Sequence, residues 1–187
     1  SDNDGNIYMF GYFTNTLSAS SGESIIALGG EFDRDYFVVK FDSSSNVLWL
    51  KNVGSSGNEY VLGGISVNDD GSVFVSGGFR NDLFYTEVDF ITSTSGFDTF
   101  ILKYDTDGNV LWIKHSGQGP LNQRPNAMTT DAAGDILISG FFSGSIDFDG
   151  EATLTSENGV DDFYYAKFSQ VDGSLIWAKQ IRGIDNP

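Results

Sequence analysis

Two short acidic stretches carry residue types and a spacing that could bind a metal. "DNDGN" (residues 2–6) and "DTDGN" (105–109) set Asp, Asp and Asn at alternate positions, the oxygen-donor spacing of a calcium loop. Asp2, Asp4 and Asn6, with Asp105, Asp107 and Asn109, are therefore the candidate Ca²⁺ ligands, and "DFDG" at 147–150 is a further acidic candidate. Two features favour a plainer role. The glycine arrives two positions too early for an EF-hand-type loop, and Ser116 stands where a closing Glu would be needed. Asp and Asn beside Gly are also the residues of tight hairpin turns, where positive φ is required. Hairpin turns are the reading adopted, with calcium as the alternative and no other cofactor implied.

Other reactive groups are sparse. There is no cysteine, so disulfides, thiolate metal sites and Cys nucleophiles are excluded. His115 is the single histidine, and no Gly-x-Ser-x-Gly elbow or triad accompanies it; it reads as ordinary surface. "ISGFFSG" is glycine-rich, but no helix follows to hold a phosphate. No catalytic residue is assigned, and the chain is expected not to be an enzyme.

The formal net charge is −16. Such a surface repels phosphate backbones and anionic headgroups, so nucleic-acid binding is not expected. No apolar run approaches the length of a membrane span, so direct membrane insertion is not expected either. Hydrophobic residues make up 40% and aromatic residues 14%, too many for a solvated coil. The chain can build a core.

The elements that must position these residues are written as a repeat. "GNIYMFGYF" (5–13), "GSVFVSGGF" (71–79) and "GDILISGFF" (134–142) align so that Gly11, Gly77 and Gly140 coincide, 66 and 63 residues apart. "DYFVVKFD" (35–42), "DTFILKYD" (98–105) and "DFYYAKFS" (162–169) superpose Lys40, Lys103 and Lys167. Trp49, Trp112 and Trp177 also coincide, each two residues before Lys51, Lys114 or Lys179. A residue present in every unit builds the unit. The tryptophans therefore read as packing anchors, and the lysines, five residues after Asp35, Asp98 and Asp162, as a repeated structural polar network.

Short apolar runs between Gly, Asp, Asn and Ser clusters spell strands, and no window shows a capped helical period. The middle unit holds four: about 60–67 (A), 72–79 (B), 98–104 (C) and 109–115 (D). Tight turns join A to B and C to D; long connections join B to C and D to the next A. Both faces of strand C carry bulk, as a sheet sandwiched between neighbours requires. The fold class expected is all-β, with three four-stranded antiparallel β-propeller blades of about 63–66 residues, the first lacking its innermost strand. The 1–187 segment divides into units of approximately 1–59, 60–121 and 122–187. Both long connections fall at one rim, where binding is sought. Its unrepeated residues Arg34, Arg80, Asn81, Phe84, Tyr85, Asn122, Gln123 and Arg124 are the candidate partner-binding set.

The pattern D-x-x-G-N-φ-φ-φ-x-G-x-F … D-x-F-φ-φ-K-φ-D-x-x-G-x-φ-φ-W-x-K, with φ apolar, resembles the SBBP-type β-propeller repeats of bacterial exported proteins, including large surface and gliding-associated proteins of the Bacteroidetes. "FFSGSIDFDGEATLTSENGVDDFYYAKF" (141–168) carries the resemblance most closely, and "ASSGESIIALGGEF" in the first unit departs from it most. The resemblance covers essentially the whole chain and is specific for fold, not for activity. It implies export and cell-surface display, often beside a type IX secretion sorting signal, which is not recognised in these residues.

Three blades leave two sheet faces uncovered, so the segment is expected to belong to a larger propeller, or to meet blades of a second copy in a six-bladed ring. The function expected is a non-catalytic scaffold or adhesion module of a secreted or surface protein, binding protein or glycan through the long-loop rim. The alternatives are a propeller enzyme with an axial site, a PQQ-like oxidoreductase or a lyase, because strand D faintly echoes tryptophan-docking repeats, and a purely structural spacer.

Overall fold

A computed structural model describes residues 1–28, 33–55, 57, 61–94, 96–117, 122–157 and 160–183. Residues 29–32 of the first long loop, residue 60 at the expected start of a strand A, and residues 118–121 of a D–A connection lie outside the described residues.

Runs of β-branched and aromatic residues between Asp/Gly turns form strands, as their patterning dictates. The first unit contains β1 (Ile7–Phe13), β2 (Thr16–Ser18), β3 (Ser24–Ile26), β4 (Asp35–Phe41) and β5 (Val47–Val53). The second contains β6 (Val61–Val67), β7 (Val73–Phe79), β8 (Asp82–Phe84), β9 (Phe90–Thr92), β10 (Asp98–Tyr104) and β11 (Val110–Ser116). The third contains β12 (Gln123–Thr130), β13 (Ile136–Phe142), β14 (Ser145–Asp147), β15 (Thr153–Thr155), β16 (Asp162–Phe168) and β17 (Leu175–Ile181). Among the described residues they form one three-stranded sheet, β1-β4-β5, and two four-stranded sheets, β6-β7-β10-β11 and β12-β13-β16-β17. All pairings are antiparallel. These are β-propeller blades in A-B-C-D order, the first without its strand A.

The recurring glycines of strand B have a packing cause. Gly11, Gly77 and Gly140 stand opposite Phe37, Phe100 and Tyr164. A Cβ on each would fall 2.8, 2.8 and 2.7 Å from that ring, so the ring lies across bare backbone. The core sits between blades. Tyr8, Tyr36, Val38, Trp49 and Val53 of the first sheet pack on Val73, Val75, Phe79, Phe100 and Leu102 of the second. Phe74 and Ile101, on the other face of the second, pack on Ile136, Ile138, Phe142 and Ala166 of the third. Each fully buried side chain of this size contributes roughly 1.5–3 kcal/mol. The innermost strands β6 and β12 approach closely, with the Ser66 and Thr130 hydroxyls 2.9 Å apart.

The long B–C connections are more structured than their sequence suggests. Each contains a two-stranded hairpin, β2-β3, β8-β9 or β14-β15. The second and third hairpins reach back to the preceding blade. Phe84 and Gly54 exchange backbone hydrogen bonds of 2.8 and 3.0 Å, and Asp147 and Gly117 exchange bonds of 2.9 and 3.0 Å. Leu83 and Ile146, at the centres of β8 and β14, are fully buried. The hairpin is a clasp between blades.

Candidate binding rim

Strand direction gathers the ends of β7, β10 and β12 at the long-loop rim. Arg80 follows β7, Phe97 precedes β10, and Asn122 precedes β12, in which Arg124 is the second residue. The Gln123 amide donates to the Phe97 carbonyl at 2.8 Å. The Asn122 Oδ1 accepts from the Phe97 amide at 3.2 Å and from Arg80 Nη2 at 3.3 Å. The Arg80 guanidinium lies 4.1 Å from the Phe97 ring centroid and that of Arg124 lies 5.8 Å from it. Phe97 is buried while both arginines are exposed. Two cations thus share one ring, which holds them in place. Among the described residues neither forms an ion pair with a carboxylate.

The remaining candidates separate. Gln123 is buried and donates to the Ser145 carbonyl at 2.9 Å, tying β12 to the third hairpin. Asn81, at φ 61°, closes the base of the second hairpin through Ser93. Arg34 lies over Tyr12 on the first blade, 4.8 Å from its centroid. Phe84 and Tyr85 belong to the clasp, and line a cleft of about 590 Å³ between the first two blades together with Leu50 and Lys51.

That cleft marks a departure from the repeat. In the next interface Lys114 meets Asp149 at 3.1 Å and Glu151 at 4.0 Å. At the matching positions of the preceding hairpin, Thr86 and Val88 replace those acids, and the carboxylates that line the cleft with Lys51 are instead those of Glu87 and Asp89. Phe97 was not singled out from the sequence, and Lys51 stood out only as a recurring landmark after Trp49. Aligning residues 82–92 with 145–155 would have exposed the lost acids. Nothing in one repeat marks Phe97, whose role depends on residues of two blades.

Each acidic turn is closed by its own first carboxylate, and Asp2 also lies 4.0 Å from Lys40 Nζ. Asp105 Oδ1 accepts from the amides of Asp107 and Asn109 at 2.9 and 2.8 Å, and Oδ2 accepts from Asn109 Nδ2 at 2.9 Å. Asp2 accepts from the amides of Asp4 and Asn6, from Asn6 Nδ2 and from the Tyr8 hydroxyl. Asn6 and Asn109 turn their NH₂ groups, not their carbonyl oxygens, toward these carboxylates. That is the arrangement of a capped turn. Among the described residues no three His, Cys, Asp or Glu side chains gather as a metal site would require. At this tight-turn end a cavity of about 500 Å³ lies between the second and third blades, lined by Asn68, Asp69, Asp70, Asp131 and Gln170. His115 is half-buried, edge-on to Phe79 at 6.3 Å.

The recurring Lys and Trp work across blades. Lys40 Nζ and Trp49 Nε1 both donate to the Thr106 carbonyl, at 3.0 and 3.1 Å. Lys103 Nζ and Trp112 Nε1 both donate to that of Gln170, at 2.9 and 3.4 Å. In the third blade Lys167 bonds Asp131 and Asp135 at 2.8 and 3.0 Å instead.

No family model matches the chain. It is 25% identical over 173 residues to the uncharacterized WD repeat-containing protein L264 of Acanthamoeba polyphaga mimivirus, a match that covers 77% of this chain. It is 25% identical over 140 residues to the regulatory protein FlaEY of Caulobacter vibrioides, covering 73% of this chain. The matched regions are 12% and 14% of those relatives' lengths, so the chain spans a small fraction of either. A solved protein of unknown function from Bacteroides caccae aligns over 83% of this chain and 71% of its own at 10% identity, with a TM-score of 0.26. The WD-repeat relative agrees with the blades described above.

Proposed function

We propose that this chain is a non-catalytic β-propeller segment of the SBBP type, carried by a secreted or cell-surface bacterial protein, and that it acts as a scaffold or adhesion module. It binds a carboxylate-bearing protein or glycan at the long-loop rim. The observation that carries this reading is the pair Arg80 and Arg124, exposed, held on Phe97 and without an acidic partner among the described residues. In a chain of net charge −16, a guanidinium pair without carboxylates is a site for planar anions, which arginine recognises bidentately. Export and surface display are supported by the repeat wording alone.

The test is binding to immobilised polygalacturonate and to a poly-glutamate peptide, with dextran as the neutral control. The native chain should retain at least one acidic probe, more weakly as salt rises. Arg80→Glu/Arg124→Glu should lower that affinity by about tenfold or more. Equal retention of native and doubly reversed chains would place the site elsewhere, and failure of both acidic probes on the native chain would sink the reading.

A further inference from the structure

Both inter-blade junctions use the same three parts. A strand-C lysine and a strand-D tryptophan grip one carbonyl in the next blade's C–D turn. The indole then rests on a glycine later in that turn. A Cβ on Gly108 would stand 2.9 Å from Trp49 Cδ2, and one on Gly173 would stand 3.0 Å from Trp112 Cε3. Finally, the next blade's hairpin pairs with the backbone after strand D.

On its outer face the third blade carries a second gripping half, with nothing gripped among the described residues. Lys167 and Trp177 face each other across β16 and β17, as Lys103 and Trp112 do across β10 and β11. Trp177 meets Tyr165 edge-on at 5.7 Å. At the positions matching Thr99 and Ile101, each 2% exposed between blades, Phe163 and Tyr165 are 44% and 40% exposed. Large apolar side chains open to this degree on a sheet face mark an interface.

The first blade carries the gripped half with one change. Its C–D turn offers the Ser43 carbonyl at the place of Thr106, but Ser45 occupies the place of Gly108 and Gly173. Ser45 adopts the same left-handed backbone, φ 67° against 78° and 72°. Its Cβ therefore points where a seated indole leaves no room.

We propose that the outer face of the third blade is a docking surface for a further blade of this repeat type, one whose C–D turn offers a carbonyl followed by glycine, and that Ser45 bars the first blade of a second copy from taking that place. The interface is directional: one face receives, and the opposite face is refused by its own kind. It is independent of the rim, since Arg80 and Arg124 take no part.

Ser45→Gly converts the chain into its own partner, so self-association is the measurement, by sedimentation and light scattering across a concentration series. The native chain should stay monomeric where Ser45→Gly associates, with a dissociation constant lowered by about tenfold or more. Glycine is at ease at this φ, so the variant should fold. Ser45→Gly/Trp177→Ala and Ser45→Gly/Lys167→Met should both revert to monomer, with circular dichroism confirming the fold of each. Native self-association equal to that of Ser45→Gly would overturn the role of Ser45. A monomeric Ser45→Gly, or association indifferent to both Trp177 and Lys167, would overturn the docking surface.

Discussion

Lys40 and Trp49 stand directly opposite one another in the β4–β5 pair and donate to a single acceptor, the Thr106 carbonyl of the next blade, at 3.0 and 3.1 Å. A bulge makes this possible. The register shifts after Lys40, Lys103 and Lys167 alike, so one strand-D residue, Leu48, Leu111 or Ile176, is left over and exposed. The extra residue re-aims the tryptophan beside the lysine. Trp49→Phe keeps a ring but removes the donor, and should cost about 1 kcal/mol. Lys40→Met removes a buried charge-assisted donor and should cost roughly 1.5–3 kcal/mol. Trp177→Phe, with no such carbonyl among the described residues, should change stability by less than about 0.5 kcal/mol. Urea unfolding of the three variants checks the order, and an equal loss at Trp49 and Trp177 would dismiss the shared carbonyl as a stabilising contact.

Gly77 is required for space. Its Cβ would meet Phe100 Cε1 and Tyr36 Cζ, both at 2.8 Å, one ring from its own sheet and one from the preceding blade. Gly77→Ala should therefore destabilise by about 1–3 kcal/mol through overpacking. Gly150→Ala is the control, since nothing lies within 4 Å there and only its φ of 79° is strained. The melting temperature of Gly77→Ala should fall further; the reverse order would mean that the rings yield.

Strands, turns and the repeat were legible because each leaves a local mark. Period-two alternation and Asp/Gly turns gave β6, β7, β10 and β11 to within a residue or two, and recurrence of Lys and Trp identified them as builders. Their destination was not legible: the acceptors are backbone carbonyls of Thr106 and Gln170, and a carbonyl is the same in every residue. The hairpins escaped notice because three residues hold only one inward apolar position, Leu17, Leu83 or Ile146, too few to show a period. The binding set divided for a related reason. Arg80, Asn122 and Arg124 converge only because two blades meet, whereas Phe84 and Tyr85, neighbours in sequence to Arg80, are drawn into the clasp.

The clasp makes Leu83 a long-range residue. It is fully buried between two blades at the centre of β8. Leu83→Ala should cost about 2–5 kcal/mol and loosen the hairpin before the sheets. Hydrogen exchange checks this at two amides, Gly54 and Phe84, which bond each other's carbonyls across the junction. Both should exchange faster while the β7–β10 amides stay protected. Val88→Ala, at the exposed hairpin tip, should leave them unchanged. Unaltered exchange at Gly54 in Leu83→Ala would mean that the junction does not depend on the hairpin.

The turn carboxylates give the fold an acid limit. At Asp42 the Asn46 side-chain amide, at Asp131 the Lys167 ammonium and at Asp172 the Ser174 hydroxyl hold the acid below its ordinary value of 3.8. At Asp2 and Asp105 burial pushes the other way, but the amide donors of Asn6 and Asn109, joined at Asp2 by the Tyr8 hydroxyl, prevail, and Asp2 falls to about 2. A carboxyl that is more acidic when folded contributes stability fully above the unfolded value, and that contribution disappears as pH drops through the folded one. Asp35 runs opposite: burial raises it, so its contribution is lost as pH rises past 3.8. Asp35 opposes six lowered carboxyls, the sixth being Asp70, held down by the Ser72 hydroxyl. The urea midpoint should fall steadily from pH 4 to pH 2, although protonation also relieves the self-repulsion of a strongly negative chain. Asp105→Asn isolates the turn, because its charge no longer titrates while the rest of the surface does. Its midpoint should decline less steeply than that of the native chain, and identical slopes would exclude the Asp105 turn as a source of acid sensitivity.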